Sequence, residues 1–226
     1  MLASNTNKVY KANKILHILQ NNFPIPKWAD SHTTPFQTLI RTVLSQATAS
    51  RNTAQAFENL SRKFSITPQT LAEADAKDIE EAIRVAGLYR NKSKVIKRVS
   101  QVLLEKLNGS LDFIYTSPQD EARETLLTIP GVGPKTADVT LLFCAKKPII
   151  PVDTHVNRVS KRLGLVLPKA NYEETRKSLQ SLYQPEDYLA VHLLLIALGR
   201  KYCKARKPLC KLCLVSELCP SKHTED

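Results

Sequence analysis

An all-α fold is predicted by the spacing of the apolar residues, by the signals that start helices and by the positions of the glycines. Apolar residues recur every three or four positions in several segments, which places them on one face of a helix. Two such stripes are Phe36, Leu39, Ile40, Val43 and Leu44, and Val95, Ile96, Val99, Val102 and Leu103. No segment shows the convincing alternation of polar and apolar residues that a half-buried strand requires. We therefore expect about ten helices with short connections.

Hydroxyl residues followed by proline mark the expected helix starts. Such pairs stand at residues 34–35, 67–68 and 117–118. Proline suits the first helical position because the N–H that it lacks has no helical partner there, and a preceding hydroxyl accepts a bond from the first turn. Asn171 with Glu174 matches a capping box at a further start.

The glycines indicate where helices end. The chain has six glycines, and four stand where a helical pattern stops: Gly87, Gly109, Gly164 and Gly199. Glycine is favoured there because the left-handed conformation that ends many helices costs it little. These four are therefore predicted to be C-terminal caps.

The composition fits a globular protein with a basic surface. The chain has 226 residues, 42% of them hydrophobic, and 33 Lys and Arg against 21 Asp and Glu give a formal net charge of +12. These values exclude a disordered chain and a miniature disulfide scaffold. The longest apolar run, residues 193–198, is far shorter than the roughly 18 residues that span a membrane, so no membrane contact is expected. The positive charge favours a polyanionic partner.

Four of the five cysteines form a compact cluster. The first residues show no export signal, so a reducing, cytoplasmic location is expected, where such clusters more often bind metal than form disulfides. The spacing is C-x₆-C-x₂-C-x₅-C, given by Cys203, Cys210, Cys213 and Cys219. Both a zinc ion and an iron–sulfur cluster accept four thiolates at one centre. Cys144, in an apolar run, is expected to be a buried small hydrophobe.

The remaining two glycines, Gly131 and Gly133, lie between two helical patterns in the segment IPGVGP. Two close-set glycines let the backbone turn sharply and expose its amides, and the next helix adds unpaired N–H groups and a positive dipole end. Such a turn suits one phosphate of a nucleic-acid strand. An ordinary helix–helix turn explains the same residues about equally well.

Lys135 and Asp153 are the candidate reactive groups. Lys135 is expected on the first turn of the helix after the glycines, where the positive helix end should lower the pKa of its amine and favour the nucleophilic form. From spacing alone, however, Lys135 is better explained as a phosphate contact. Asp153, in the segment PVDTHV, is likewise better explained as the N-cap of the following helix.

Four segments of the chain resemble the endonuclease III family of DNA glycosylases. IPGVGPKTADV resembles the family's helix-hairpin-helix, and PVDTHVNRVSKRLGL resembles the Gly/Pro-to-Asp segment that follows it. GRKYCKARKPLCKLCLVSELC matches the family's cysteine tail, and LSQAT matches a further motif near residue 46. The resemblance runs from about Pro35 to Cys219, with the motifs in the family's order.

The resemblance implies a reaction and a cofactor. It makes Lys135 the amine that attacks C1′ of a damaged nucleotide, and Asp153 the carboxylate that stabilises cationic character at C1′. The expected activity is excision of oxidised pyrimidines from duplex DNA, followed by β-elimination at the abasic site and a nick on its 3′ side. All three cysteine intervals match the family's [4Fe–4S] loop, so a [4Fe–4S] cluster is expected rather than zinc.

The resemblance also implies contacts with damaged or abasic double-stranded DNA. Gln46 corresponds to the residue that fills the gap left by a flipped nucleotide, and Leu88 to the wedge between base steps. Without the family, Gln46 would be interpreted as a helix-end residue and Leu88 as a core leucine. Gly131 and Gly133 are expected to bind a backbone phosphate. Cations around the cysteine loop are expected to bind further phosphates: Lys204, Arg206, Lys207 and Lys211.

Two helical lobes with a DNA-binding cleft between them are the architecture that the resemblance implies. One domain is expected over residues 23–147, and the other, with the iron–sulfur loop, over residues 1–22 and 148–226. The protein is expected to be a monomer that associates with the nucleoid when it binds DNA. The sequence departs from the family at Asp138, where Asn is usual, and at Ala49, where Asp is usual.

Two other functions remain open at this stage. A monofunctional mismatch glycosylase acting on thymine or uracil would share the fold, but such relatives typically lack the lysine. A non-catalytic DNA-binding protein could keep the hairpin and the cysteine cluster for architecture alone.

Overall fold

The computed structural model of the chain describes residues 2–26 and 33–222. Within these ranges the regular structure is helical throughout and contains no strand, so the predicted all-α class is confirmed. In chain order the α-helices are α1 Leu2–Asn22, α2 Pro35–Ser45, α3 Ser50–Lys63, α4 Pro68–Glu73, α5 Ala76–Ala82, α6 Tyr89–Leu107, α7 Phe113–Thr116, α8 Gln119–Leu127, α9 Pro134–Ala145, α10 Thr154–Arg162, α11 Tyr172–Gln180 and α12 Tyr188–Lys201. Short 3₁₀ turns occupy Arg84–Ala86, Pro185–Asp187, Cys210–Leu212 and Ser216–Leu218.

The predicted helix starts are confirmed at three of four places. Thr34 caps α2 and Thr67 caps α4 through their side-chain oxygens, with proline at the first helical position of each. Asn171 and Glu174 form the predicted capping box of α11. At the fourth place α8 begins at Gln119, one residue later than the pattern indicated, and its N-cap makes no side-chain bond.

Packing contacts divide the chain into two compact units. One unit is continuous and contains α2 to α9, and the other combines α1 with the residues from Pro148 onward. The predicted domain bounds of 23–147, and of 1–22 with 148–226, stay a prediction because a domain is defined by independent folding rather than by contacts alone.

The continuous unit is organised around α6. This helix packs against α2, α4 and α5, while α2 also packs against α3 and α9, and α8 lies against α9. The predicted apolar stripes form the centre of this packing, since Leu39, Ile40 and Ile96 are completely buried. α8 and α9 enclose the glycine pair.

The second unit has its own apolar core, to which helices from both ends of the chain contribute. α12 packs against α1 and α10, and α10 also packs against α11. Ile15 and Leu19 of α1 share one buried cluster with Val156 and Val159 of α10. The core therefore brings the start of the chain together with the segment that carries Asp153.

Three of the predicted glycine caps are confirmed, and one is wrong. Gly87, Gly109 and Gly164 follow helical segments with positive φ angles. Gly199 instead lies inside α12, which continues to Lys201. A Cβ atom at Gly199 would lie 2.9 Å from His155 Nδ1 and 3.0 Å from His155 Cβ, so this glycine permits a close approach of α10 and α12.

No helix in the part of the chain that the structure describes has the length and apolar character needed to cross a membrane.

Replacing Gly199 by alanine tests this close approach. Helix propensity alone predicts that Gly199→Ala stabilises the protein by about 0.5–1 kcal/mol. We expect a loss of about 1–3 kcal/mol instead, because the new methyl group overlaps His155 in a packed core. Urea denaturation measures the sign. The loss should shrink when His155→Ala is added, and a gain in the single variant would contradict the interpretation.

Candidate functional site

The glycine pair forms a tight turn between α8 and α9. Val132 N–H donates to the carbonyl oxygen of Ile129 at 3.0 Å, and both of these apolar side chains are buried. The two anchors hold the turn against the unit while Gly131 and Gly133 remain exposed. Neither glycine N–H donates a backbone hydrogen bond within the described segment. The turn therefore presents backbone amides at the surface.

The two glycines serve different purposes. Gly131 has φ +86°, and a Cβ atom there would lie 2.7 Å from Val95 Cγ1, so both conformation and packing require glycine. Gly133 has φ −90° as the N-cap of α9, and a Cβ atom there would meet nothing within 4 Å. Neither conformation nor packing therefore requires glycine at position 133. What glycine provides there is open space in front of the turn, which a side chain would fill.

Lys135 is the second residue of α9 and follows directly behind this turn. Its side chain is half-buried. The first turn of a helix carries unpaired N–H groups and the positive end of the helix dipole. The predicted position of Lys135 relative to the glycines is therefore confirmed, whereas its catalytic role stays a prediction.

Asp138, the departure from the family pattern, is completely buried between α8 and α9. Arg123 of α8 donates to it through Nε at 2.6 Å and through Nη2 at 3.5 Å. Asp138 therefore does not face solvent. Its negative charge is compensated by a guanidinium from the preceding helix, and the ion pair joins the two helices of the hairpin.

Asp153 lies in the other unit and caps α10. Its Oδ1 accepts the N–H of Val156 at 2.7 Å, as the N-cap interpretation predicted. The residue is half-exposed. Tyr172 holds the preceding residue, because its hydroxyl oxygen accepts the N–H of Val152 at 3.3 Å. The carboxylate is thus fixed by its own helix and by α11.

His155, two residues beyond Asp153, is held on the inner side of α10. Its Nδ1 lies 3.1 Å from Nη2 of Arg158, and since a guanidinium only donates, Nδ1 accepts. Burial lowers the pKa of His155, against a smaller opposing effect of Asp153. His192 is buried, whereas His17 lies on the exposed side of α1.

Gln46 and Leu88 both lie at exposed tips of the continuous unit. Gln46 ends α2, and Leu88 precedes the first turn of α6 with 62% of its surface exposed. The core interpretation of Leu88 is therefore wrong. Leu88 has φ +47° and Ala47, beside Gln46, has φ +50°. An apolar side chain in a strained, exposed conformation is unusual and often marks a functional site.

Sequence reasoning missed Lys92, which connects these two tips. Its side chain is buried, and its Nζ donates to the carbonyl oxygens of Leu44 and Ala86, each at 2.9 Å, and to Thr48 Oγ1 at 2.5 Å. A signal was present, because Lys92 stands four residues before Ile96 on the apolar face of α6. A lysine at such a position has to find buried acceptors.

Ala49, the other departure from the family, is the N-cap of α3 and makes no side-chain capping bond. An aspartate there could accept a bond from the first turn of α3. The departure therefore removes a helix cap as well as a charge.

The four cysteines of the C-terminal loop surround one pocket. All four are half-buried and form no disulfide with one another, and they line the pocket together with Val159, Leu163 and Leu198. Burial raises the pKa of Cys213, and charge interactions with the other three cysteines raise it further. The predicted cysteine cluster is therefore present as a spatial group.

Two arginines of α10 hold this loop in place. Arg158 Nε donates to the carbonyl oxygen of Cys203 at 2.9 Å. Arg162 Nη1 donates to Cys203 Sγ at 3.5 Å and to the carbonyl oxygen of Lys204 at 2.7 Å. The helix capped by Asp153 therefore also supports the first cysteine of the loop.

The cations predicted to bind phosphates are all exposed on this loop: Lys204, Arg206, Lys207 and Lys211. Among the residues that the structure covers, no three His, Cys, Asp or Glu side chains converge on a point that would hold a single metal ion.

Comparison with known protein families identifies the superfamily of this protein. Residues 40–185 match the family described as HhH-GPD superfamily base excision DNA repair protein. The match includes the hairpin, Lys135, Asp153 and both exposed tips, so the chain is a member of this superfamily.

More specific relatives are endonuclease III proteins. Endonuclease III of Sulfolobus acidocaldarius is 38% identical over 81% of this chain and 81% of its own length. A structure of a non-covalent endonuclease III–DNA complex covers 95% of this chain and 96% of its own at 33% identity, with a TM-score of 0.83. A trapped endonuclease III–DNA covalent intermediate, the estranged-adenine complex, covers 93% and 96% at 34% identity, with a TM-score of 0.81. The chain belongs to the endonuclease III family.

Removing Arg123 tests the buried ion pair of the hairpin. We expect Arg123→Met to destabilise the protein by about 3–5 kcal/mol, because the carboxylate of Asp138 is left buried without its guanidinium. Denaturation by urea at pH 7 measures the loss. Adding Asp138→Asn removes the stranded charge and should restore part of the stability. An unchanged loss in the double variant would show that charge compensation is not the cause.

Proposed function

We propose that this protein is a bifunctional DNA glycosylase and AP lyase that excises oxidised pyrimidines from duplex DNA and nicks the strand on the 3′ side of the abasic site. The observation that carries the proposal is the position of Lys135 on the first turn of α9, directly behind an exposed glycine turn. Membership of the endonuclease III family and the similarity to its DNA complexes support it.

The glycine turn is proposed to bind one phosphate of the DNA backbone. Exposed amides at Gly131 and Gly133 and the positive end of α9 favour an anion at this point. The open space in front of Gly133 admits a phosphate that a side chain would block. A phosphate held there would bring the sugar of the same strand toward the start of α9.

Lys135 then acts as the nucleophile. Its neutral amine forms a bond to C1′ while the glycosidic bond breaks, and the pyrimidine leaves with the electron pair and takes up a proton. Nζ then loses a proton, and the C1′–O4′ bond breaks with its electron pair going to O4′, which takes up a proton. A protonated imine remains between Nζ and C1′. Loss of a proton from C2′ then expels the 3′ phosphate, which breaks the strand by β-elimination.

Asp153 is proposed to stabilise the positive charge that develops on the sugar as the base departs. The carboxylate already accepts the Val156 N–H through Oδ1, and a capping aspartate keeps a second oxygen for another interaction. The N-cap interpretation and the catalytic one are therefore compatible, because the cap fixes the carboxylate in place.

Gln46 and Leu88 are proposed to enter the duplex when the target nucleotide leaves the stack. Leu88 offers an exposed apolar wedge, and Gln46 offers an amide that can hydrogen-bond an orphaned base. Both sit on the surface of one compact unit, which supports a common task.

We propose a [4Fe–4S] cluster bound by Cys203, Cys210, Cys213 and Cys219. The pocket that these thiols line is mainly apolar, and all four cysteines contribute to its lining. Ser216 Oγ, on the same pocket, is buried without a hydrogen-bond partner in the described chain, and a cluster sulfur would accept from it. The donor set is thus all sulfur, as iron–sulfur clusters prefer.

When bound, the cluster would crosslink a loop that has little core of its own and so supply folding free energy. The loop carries the exposed cations Lys204, Arg206, Lys207 and Lys211. These side chains are proposed to contact DNA phosphates, which would make binding salt-dependent. The cysteines therefore serve binding by holding the cations in place.

Borohydride trapping tests the reaction. The protein should form a covalent adduct with a duplex that contains one oxidised pyrimidine, because borohydride adds hydride to C1′ of the imine. Lys135→Gln should abolish the adduct. Asp153→Asn should slow base release by about 100-fold or more, since one electrostatic partner of the transition state is lost. Denaturing gels with labelled DNA follow both steps.

Lys146→Gln is the matched control, because Lys146 is exposed at the other end of α9. It should trap DNA as well as the unmodified protein. Base release without an adduct or nick would favour a monofunctional glycosylase. Binding without base release would favour a non-catalytic DNA-binding protein.

Replacing a cysteine tests the cofactor. Protein purified without oxygen should contain four iron and four sulfide per chain by the expected [4Fe–4S] stoichiometry. Cys210→Ser should lose the visible absorption, thermal stability and DNA affinity together. Cys144→Ser should keep all three, since Cys144 lies in the other unit and donates to Thr38 Oγ1. Lost colour with retained affinity would contradict the structural role of the cluster.

A further inference from the structure

A buried lysine occupies the space between the two tips proposed to enter DNA. Lys92, on the first turn of α6, has only 3% of its surface exposed. Burying an ammonium is costly unless each of its donors finds an acceptor. Lys92 has three acceptors, namely the carbonyl oxygens of Leu44 and Ala86 and the hydroxyl oxygen of Thr48.

These acceptors belong to the two segments that carry the tips. Leu44 is in the last turn of α2, and Thr48 lies two residues beyond Gln46. Ala86 ends the 3₁₀ turn that leads to Leu88. Thr48 Oγ1 also lies within hydrogen-bond distance of the Ala86 carbonyl oxygen, at 2.5 Å. The ammonium and this hydroxyl therefore join the Gln46 segment to the Leu88 segment.

The joined segments hold backbone conformations that do not persist without support. Ala47 and Leu88 both have left-handed φ angles, and neither is glycine. A non-glycine residue is strained in this conformation and keeps it only when the surroundings enforce it. The carbonyl end of α2 attracts a cation, because the last carbonyls of a helix lack helical partners. Lys92 supplies that cation from within the unit.

We infer that Lys92 is a positioning residue that holds Gln46 and Leu88 at a fixed separation, so that both enter the duplex together when a nucleotide is flipped. The inference rests on the proposed function, since it concerns how the same enzyme opens DNA. Lys92 touches neither DNA nor the reacting atoms. It acts by making two separate segments move as one body.

A specific kinetic defect follows. Loss of the ammonium should leave the Lys135 chemistry intact and impair the step in which a paired base leaves the stack. A misplacement of about 1 Å in a positioned group can cost up to about 100-fold in rate. Lys92→Met keeps most of the side-chain volume and removes all three donors, so a loss of about 10- to 100-fold is expected for excision from duplex DNA.

The test compares two substrates under single-turnover conditions. One is a duplex with an oxidised pyrimidine opposite its normal partner. The other is a single-stranded oligonucleotide with an abasic site, which has no base to flip and no gap to fill. Lys92→Met should slow excision from the duplex, whereas borohydride trapping on the single strand should stay within about twofold of the unmodified protein. An equal loss on both substrates would overturn the inference.

Lys97→Met is the matched control. Lys97 lies on the same helix, and its Nζ likewise donates to carbonyl oxygens of a neighbouring segment, those of Ala72 and Ala74. These carbonyl oxygens lie at the end of α4, which carries neither Gln46 nor Leu88. Lys97→Met should change neither the duplex rate nor the single-strand rate beyond its effect on stability. The same substrate-specific defect in both lysine variants would also overturn the inference.

Thr48→Val provides a second route if Lys92→Met does not fold. It removes one acceptor of Lys92 and the contact with Ala86, and it leaves the ammonium in place. A smaller defect of the same kind, confined to the duplex, is expected. If Thr48→Val acts on each substrate at the same rate as the unmodified protein, the inference is contradicted.

A double-mutant cycle then separates positioning from a general structural role. In a Gln46→Ala/Leu88→Ala background neither inserting side chain is present. Lys92→Met should then lower the rate of excision from the duplex by less than about threefold further. A full additional 10- to 100-fold loss there would show that Lys92 does not act through the tips. If the unmodified protein neither excises the base nor traps DNA, the proposed function fails, and that result is distinct from failure of the inference.

Discussion

The ion pair between Arg123 and Asp138 determines how α8 and α9 meet at the glycine turn. Both charges lie in or near the interior, where an unpaired carboxylate would be strongly unfavourable. The pair therefore restricts the two helices to arrangements in which guanidinium and carboxylate stay in contact. The exposed amides of the turn and the position of Lys135 depend on that arrangement, because both lie where α9 begins.

Helix α10 likewise holds two parts of the molecule in place. One helix carries the carboxylate at its N-terminus and, through Arg158 and Arg162, supports the first residues of the cysteine loop. The close approach of α12 at Gly199 places His155 and Arg158 against the helix that leads into this loop. The cysteine loop is therefore attached to a helix that is itself packed against α12.

Local signals in the sequence predicted the features that depend on neighbouring residues. Thr34, Thr67 and Asn171 cap helices within their own first turns, so their roles follow from residues three positions apart. Gly199 was misinterpreted because the atom that requires glycine belongs to His155, on another helix. The partners of Asp138 and Lys92 also come from other elements, so these contacts did not follow from neighbouring residues. The family motifs located the hairpin and the cysteines, but the buried polar contacts that hold them had no sequence motif.

The division of the chain has a consequence for how the protein is made. Among the residues that the structure describes, the apolar face of α1, including Ile15 and Leu19, shares its core cluster with residues between Ile150 and Val215. During translation this face emerges before those partners, whereas α2 to α9 have their principal partners within one continuous stretch. The interrupted unit can therefore complete its core only later in synthesis than the continuous one.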